Sequence, residues 1–255
     1  MKKSFIVGRQ ILKGCLRARS LSLVAFYLIS LVAFMAMISA SDSAYRTALI
    51  IDSGLSLVNI FTILLVLFII LPVFQHEKEK HILAVSMSFD LSRSQYLWGV
   101  WLGSTGALIV NFISMAVLLV ITFLCMQIEI TSGIFRHLFL NLCELISLGT
   151  FAIAFSVFFS YVVSAMLTFV FYIVGHMTIA FQQALQGWHD SWVGTVLSFV
   201  WNIIPNLSLF NLKDIVIKKA EIPWAYELVA LIYAAAMVFL VIEITRFKFE
   251  RERLL

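Results

Sequence analysis

The chain has 255 residues, of which 62% are hydrophobic and 13% charged, with a formal net charge of +4 and a mean hydropathy of +1.02. A soluble domain carries about 25% charged residues, so this composition excludes one and indicates an integral membrane protein of all-α class. The basic residues sit beside apolar spans, which is the pattern that orients a membrane protein and not the pattern of nucleic-acid binding.

Residues 1–19 hold Lys2, Lys3, Arg9, Lys13, Arg17 and Arg19, most of which cluster on one face at about 100° per residue, with Phe5, Ile11, Leu12, Cys15 and Leu16 on the other. This predicts an amphipathic helix in the interface, leading into the first span at 21–40. The small-residue run MISASDSA resembles a leader cleavage site, but the apolar stretch before it is long for a leader and its basic segment is extended. A short outer loop with Asp42, Arg46 and Asp52 follows, then a second span at 55–74 that contains Asn59 and closes at Pro72.

Residues 75–96, QHEKEKHILAVSMSFDLSRSQY, form the only long polar interruption in the first half of the chain. Ile82, Val85 and Phe89 fall at i, i+3 and i+7, which predicts a short helix that buries this stripe while Glu77, Lys78, Glu79, Lys80 and His81 face water. Ser92 and Gln95 make an S-x-x-Q capping box around Arg93 at the start of the third span, 93–126. That span exceeds what a bilayer requires, and its start places Gly99, Gly103 and Ala107 on one stripe where another helix can approach closely, within the subunit or across a dimer. Asn111 lies deeper in it.

Residues 138–185 are mostly apolar and, as helix, about 72 Å long, the length of two crossings. The soft point at 160–164 predicts a tight turn between spans four and five. Glu144 and His176 then lie at similar depth on adjacent spans, where ionisable groups in lipid are functional candidates by default. The alternatives are a neutral His176 bonded to a neighbouring helix and a Glu144 paired with Arg136 at the interface. Residues 186–222, with Trp188, Trp192, Trp201 and Pro205, predict an outer helical or re-entrant segment, and the group Lys213, Asp214, Lys218 and Lys219 reads as a solvated loop. A sixth span covers 224–245.

With both termini inside, 13 of the 18 Lys and Arg residues are cytoplasmic and 5 are outside, in line with the positive-inside rule. Cys15, Cys125 and Cys143 lack metal or redox spacing, and the expected placement of Cys125 and Cys143 on one side leaves a disulfide open. There is no G-x-x-x-x-G-K-[ST] loop, H-E-x-x-H pair or G-x-S-x-G elbow, so neither Walker-type nucleotide binding nor catalysis by the chain alone is indicated.

The run HEKEKHILAVSMSFDLSRSQYLWGVWLG resembles the signature of type-2 ABC exporter permeases. Glu77 and Glu79 match its acidic pair, Leu83 its leucine, Ser92 and Arg93 its S-R, and Gly99, Leu102 and Gly103 its glycine motif, while 205–211 is similar to its P-x-L-[ST]-x-F-N element. His81, Ile82, Asp90 and Val100 depart from the pattern, leaving subfamily and substrate open. The resemblance spans the chain as one permease domain. It implies a six-span subunit of the cell (cytoplasmic or inner) membrane, without a cofactor of its own, that pairs with a second permease chain as a homodimer or heterodimer. It also implies a separate ATP-binding subunit, which holds ATP and Mg and drives the permease through Glu77, Lys78, Glu79, Lys80, His81 and Arg93. Asn59, Asn111, Glu144 and His176 are the candidate pathway residues, and the absence of charges along the spans favours an amphiphilic or lipid-like cargo. The competing classes are a membrane scaffold without transport and an intramembrane enzyme that uses Glu144 and His176.

Overall fold

The computed structural model describes residues 2–16, 20–39, 45–73, 92–178, 181, 204–218, 220 and 223–251. Most of the predicted coupling element, including Glu77, Lys78, Glu79, Lys80 and His81, lies outside the described residues, as do Trp188, Trp192 and Trp201. The described residues are mostly helical and include no strand. In order they form α1 (Lys2–Cys15), α2 (Leu21–Ser39), α3 (Arg46–Leu65), α4 (Arg93–Cys125), α5 (Ser132–Phe158), α6 (Tyr161–His176), α7 (Lys213–Ile217) and α8 (Trp224–Arg251). Among the described residues, five stretches are long and apolar enough to cross a membrane: Leu21–Ser39, Arg46–Val73, Arg93–Cys125, Ser132–Phe158 and Trp224–Phe249. The chain is therefore a multi-pass helical membrane protein. At 16 residues α6 is shorter than these five, about 24 Å against a core of about 30 Å.

Burial is uneven and tells which helices are central. The most apolar windows of α3 and α5 are each 67% buried, against 17% for α2 and 22% for α8. Helices α4, α6 and α8 all pack against α5, while α2 packs on α3 and α4. Outward-facing Phe26, Ile29, Val32, Phe169, Val170, Phe239 and Leu240 are left to lipid.

Helix α3 begins nine residues before the expected start of its span, at Arg46. Asp52 suggested a loop, but its carboxylate is met by the Lys213 ammonium at 2.9 Å, so the charge does not interrupt the helix. Near its other end α3 widens into a π-helical stretch, Val66–Ile70, before continuing to Val73. The wide turn falls just ahead of Pro72, which lacks an N–H and crowds the carbonyl of the preceding turn.

The capping box at the start of α4 is formed as the sequence predicts: the Gln95 N–H donates to Ser92 Oγ at 3.2 Å and the Ser92 N–H to Gln95 Oε1 at 3.4 Å. Its far end closes without glycine. Gln127 takes the left-handed conformation (φ 56°), while the Ile128 N–H reaches the Phe123 carbonyl at 2.9 Å and the Gln127 N–H that of Leu124 at 3.0 Å. This is a Schellman closure, with Ile128 buried as its apolar contact. The turn between α5 and α6 is confined to Phe159 and Ser160, at the near edge of the predicted 160–164.

Helix α1, Lys2–Cys15, forms within the predicted 1–19. It lies along the first half of α4, in the same direction, and this pair is more extensively packed than any other among the described residues. Ser4 meets Gly99, Gly8 meets Gly99 and Gly103, and Leu12 meets Gly106. Ile11 and Gly8 are buried while Phe5 and Ile6 are exposed, so the helix rests chiefly on protein through a face that Phe5 does not share. The small-residue stripe is thus occupied by the chain's own N-terminal helix: a Cβ on Gly99 would lie 2.8 Å from the Ser4 carbonyl, and one on Gly103 would strike the Gly8 backbone. Because the obstacle is backbone, it cannot rotate away. Gly103→Leu is expected to lift α1 off α4 and destabilise the protein by about 1–3 kcal/mol; faster tryptic cleavage at Arg9 and Lys13 with a lowered melting temperature in detergent would register it, and wild-type behaviour in both would refute the assignment.

Candidate functional site

In a helix that faces other helices, polar side chains three or four residues apart share one face. Three helices use this spacing at one level of the bundle: Asn59 and Thr62 on α3, Asn141 and Glu144 on α5, Tyr172 and His176 on α6. Their side chains meet. Asn141 Nδ2 donates to Asn59 Oδ1 at 2.7 Å and to Glu144 Oε2 at 3.3 Å, while the Thr62 hydroxyl lies 2.8 Å from Asn141 Oδ1 and 3.0 Å from the Val58 carbonyl. The second carboxylate oxygen of Glu144, Oε1, is 2.7 Å from His176 Nε2. The Tyr172 hydroxyl donates to the Asn59 carbonyl at 3.2 Å, and its ring meets the His176 imidazole edge-on, centroids 4.6 Å apart.

Asn141 and Glu144 are fully buried, whereas the His176 side chain keeps 20% of its exposure. A carboxyl group without water has a large desolvation cost unless hydrogen bonds replace the solvent, and here both oxygens have a partner. The sequence-based expectation that Glu144 and His176 share a level is met, and the alternative partner is excluded: the Arg136 guanidinium pairs with Glu227 of α8 at 3.1 Å.

Residues 204–213 fold onto this end of the bundle. A 3₁₀ turn, Leu207–Phe210, buries Leu207 and Phe210. Leu207 sits against Gly175, where a Cβ would come within 2.6 Å of its side chain, and the Ser208 hydroxyl donates to the His176 carbonyl at 2.8 Å. Further along, the Leu212 N–H donates to His137 Nδ1 at 3.2 Å, and the Lys213 ammonium bridges Asp52 and Ser56 at 2.9 and 3.1 Å. Lys213, expected in a solvated loop, is instead half-buried and ties α7 to α3.

The other candidate residues lie apart from this network. Asn111 is buried on α4, donating to the Ala107 carbonyl at 2.8 Å and accepting from the Ser20 hydroxyl at 2.6 Å, which ties the start of α2 to α4. Arg93 donates to the Phe249 carbonyl at 3.2 Å, joining the start of α4 to the end of α8. Gly99 and Gly103 receive α1, and Ala107 is buried on the same helix. Among the described residues, Cys15, Cys125 and Cys143 form no disulfide. Among the described residues, no three of His, Cys, Asp and Glu gather as a metal site requires.

Residue-by-residue reading missed Asn141, Thr62, Tyr172 and His137. Asn141 stood three residues before Glu144 on an apolar helix, which was the available signal. Compared with protein-family models and with curated proteins, the sequence matches none.

Asn141 is the hub because it alone touches Asn59, Thr62 and Glu144. Asn141→Leu leaves these buried groups short of a partner and is expected to destabilise the folded chain by about 1–3 kcal/mol or more, whereas Arg136→Ala, which breaks a partly exposed ion pair, is expected to cost about 1 kcal/mol or less. Denaturant titration of both variants in the same micelle checks the order, and equal losses would contradict it.

Proposed function

We propose that the chain is the transmembrane permease subunit of an ATP-driven ABC export complex. It lies in the cell membrane with both termini cytoplasmic, and α6 with the residues after it makes a sixth crossing. In this reading it forms the substrate pathway with a second permease chain, and a separate ATP-binding subunit holding ATP and Mg acts on it through residues 75–96. The fit of the signature residues supports this reading, as does the bracing of the point where that segment enters the bundle.

The bracing is the observation that carries it. Ser92 fixes the first turn of α4, Arg93 holds the end of α8, and Gly99 and Gly103 seat α1 within the next three turns. A force applied to the polar segment just before Ser92 is therefore delivered to three helices together. A soluble partner that drives a membrane body needs such a stiff point of entry, because a frayed helix end would absorb the stroke locally. The long α4, at about 50 Å, reaches beyond a bilayer core of about 30 Å and gives the partner protein surface to grip.

A second reading, an intramembrane enzyme, rests on the 2.7 Å contact of Glu144 with His176. It requires a reaction from the purified chain without nucleotide.

Co-expression with an ATP-binding subunit encoded beside it is expected to yield a stable complex whose ATP hydrolysis depends on this chain. Reversing the charge at Glu77 and Glu79 together is expected to weaken the complex about tenfold or more. Undiminished assembly and hydrolysis, or labelling that puts His81 on the opposite side of the membrane from the ATP-binding subunit, would overturn the proposal.

A further inference from the structure

The network around Asn141 has a property that a purely structural hydrogen-bond cluster does not need. Its hydrogen atoms can be arranged in two complete ways on the same heavy atoms. In the first, Glu144 is a carboxylate: Asn141 Nδ2 donates to it and to Asn59 Oδ1, and the Thr62 hydroxyl donates to Asn141 Oδ1. In the second, Glu144 Oε2 carries a proton. The Asn141 amide is turned over, so that its oxygen accepts from the Glu144 hydroxyl and from the Asn59 amide, likewise turned over. Asn141 Nδ2 then donates to Thr62 Oγ1, whose own hydrogen goes to the Val58 carbonyl, already at 3.0 Å. The two ends of an amide are equal in size, so the exchange displaces no neighbour. His176 Nε2 donates to Glu144 Oε1 in both arrangements.

We propose that Glu144, with Asn141 as a reversible amide relay and His176 as the fixed donor at its partly exposed side, is a binding site for one proton in the interior of the bundle. The uptake step is simple: one proton from water forms an O–H bond at Glu144 Oε2, and once both amides are turned over no bond to another residue is lost. Glu144 passes from a carboxylate to a neutral acid. In an apolar interior that change removes a charge that lipid and protein solvate poorly, which is why carboxyl groups at such positions serve proton relays.

Among the described residues, the groups that face the site are few. From α3 come neutral Asn59 and Thr62, from α6 Tyr172 and His176, and from the 3₁₀ turn Ser208, which is neutral and bonded to the His176 main chain. Helix α4 contributes no charged residue among the buried ones. Nearer the start of α5 lie His137 and the pairs Lys213 with Asp52 and Arg136 with Glu227, each engaged elsewhere. Glu144 is therefore the carboxyl group whose protonation the network is built to accept. The inference goes beyond the export reading and does not depend on it, since proton uptake is measured on this chain alone.

Infrared difference spectroscopy of the full chain in lipid nanodiscs, stepped in pH without nucleotide or partner, tests it. The expected result is a buried protonated-carboxyl stretch that grows as pH falls, disappears in Glu144→Gln and moves in frequency in His176→Gln. In Asn141→Leu, where no relay remains, the midpoint is expected to move by about one pH unit or more, a tenfold change in proton affinity. Should that variant fail to fold, Asn59→Leu gives the same readout, because it removes a partner of the relay and leaves Asn141 in place. A band that survives Glu144→Gln, a carboxyl that stays ionised throughout, or a titration that follows sodium concentration at fixed pH would each overturn the proposal.

Discussion

Lipid offers no hydrogen bonds, and α5 carries His137, Asn141, Glu144, Ser147, Thr150 and Ser156 through the middle of the protein, all of them buried. Serine and threonine on a helix can return their hydrogen to the carbonyl one turn back, and Ser147, Thr150 and Ser156 do so. Histidine, asparagine and glutamate cannot be silenced that way and need partners from other helices. The way those needs are met sets which helices surround α5. Asn141 is answered by α3, Glu144 by α6 and His137 by the backbone ahead of α7. Thr150 also accepts from the Trp101 indole of α4 at 2.9 Å, and Arg136 pairs with α8. Apolar packing alone would hold helices together in many arrangements, whereas these ties accept few.

The first two helices obey a different rule. Helix α2 is tied to α4 by Ser20 and Asn111, and α1 by backbone proximity over small residues. Close approach of two backbones gives van der Waals contact without side-chain ordering, and in lipid that is the main attraction available between apolar helices. The protein therefore combines a polar-bonded centre with a glycine-packed flank. The flank lies along the first half of α4, and the centre contains the Glu144 site.

Local chemistry was legible in the sequence wherever one segment decided it. Ser92 and Gln95 announced the start of α4, and the soft residues near 160 announced the break between α5 and α6. The common depth of Glu144 and His176 followed from counting residues along two spans. Features that depend on a distant segment were harder to see. Asp52 read as a loop residue because its counter-ion, Lys213, is far along the chain. The stripe at Gly99 and Gly103 announced a close neighbour without naming it, although Ser4 and Gly8, also four apart, offered the complementary surface. Asn141 was passed over because a lone asparagine on an apolar helix gains its meaning only when Asn59 and Thr62 are set opposite it.

The π-helical stretch in α3 has a geometric consequence for the grip between the two central helices. Thr62 reaches Asn141 on α5, and eight residues later Ile70 lies against the place where a Cβ on Gly149 would be, two turns further along α5. On an unbroken α-helix these two side chains would be about 80° out of rotational phase, and one of them would point past its partner. The residues of the widened turn at Val66–Ile70 each advance through a smaller angle, so the offset between the two side chains on α3 is smaller than on a regular helix. A local widening of the ladder thus changes the face that α3 turns toward α5 between Thr62 and Ile70, and both residues lie against α5 on either side of that change.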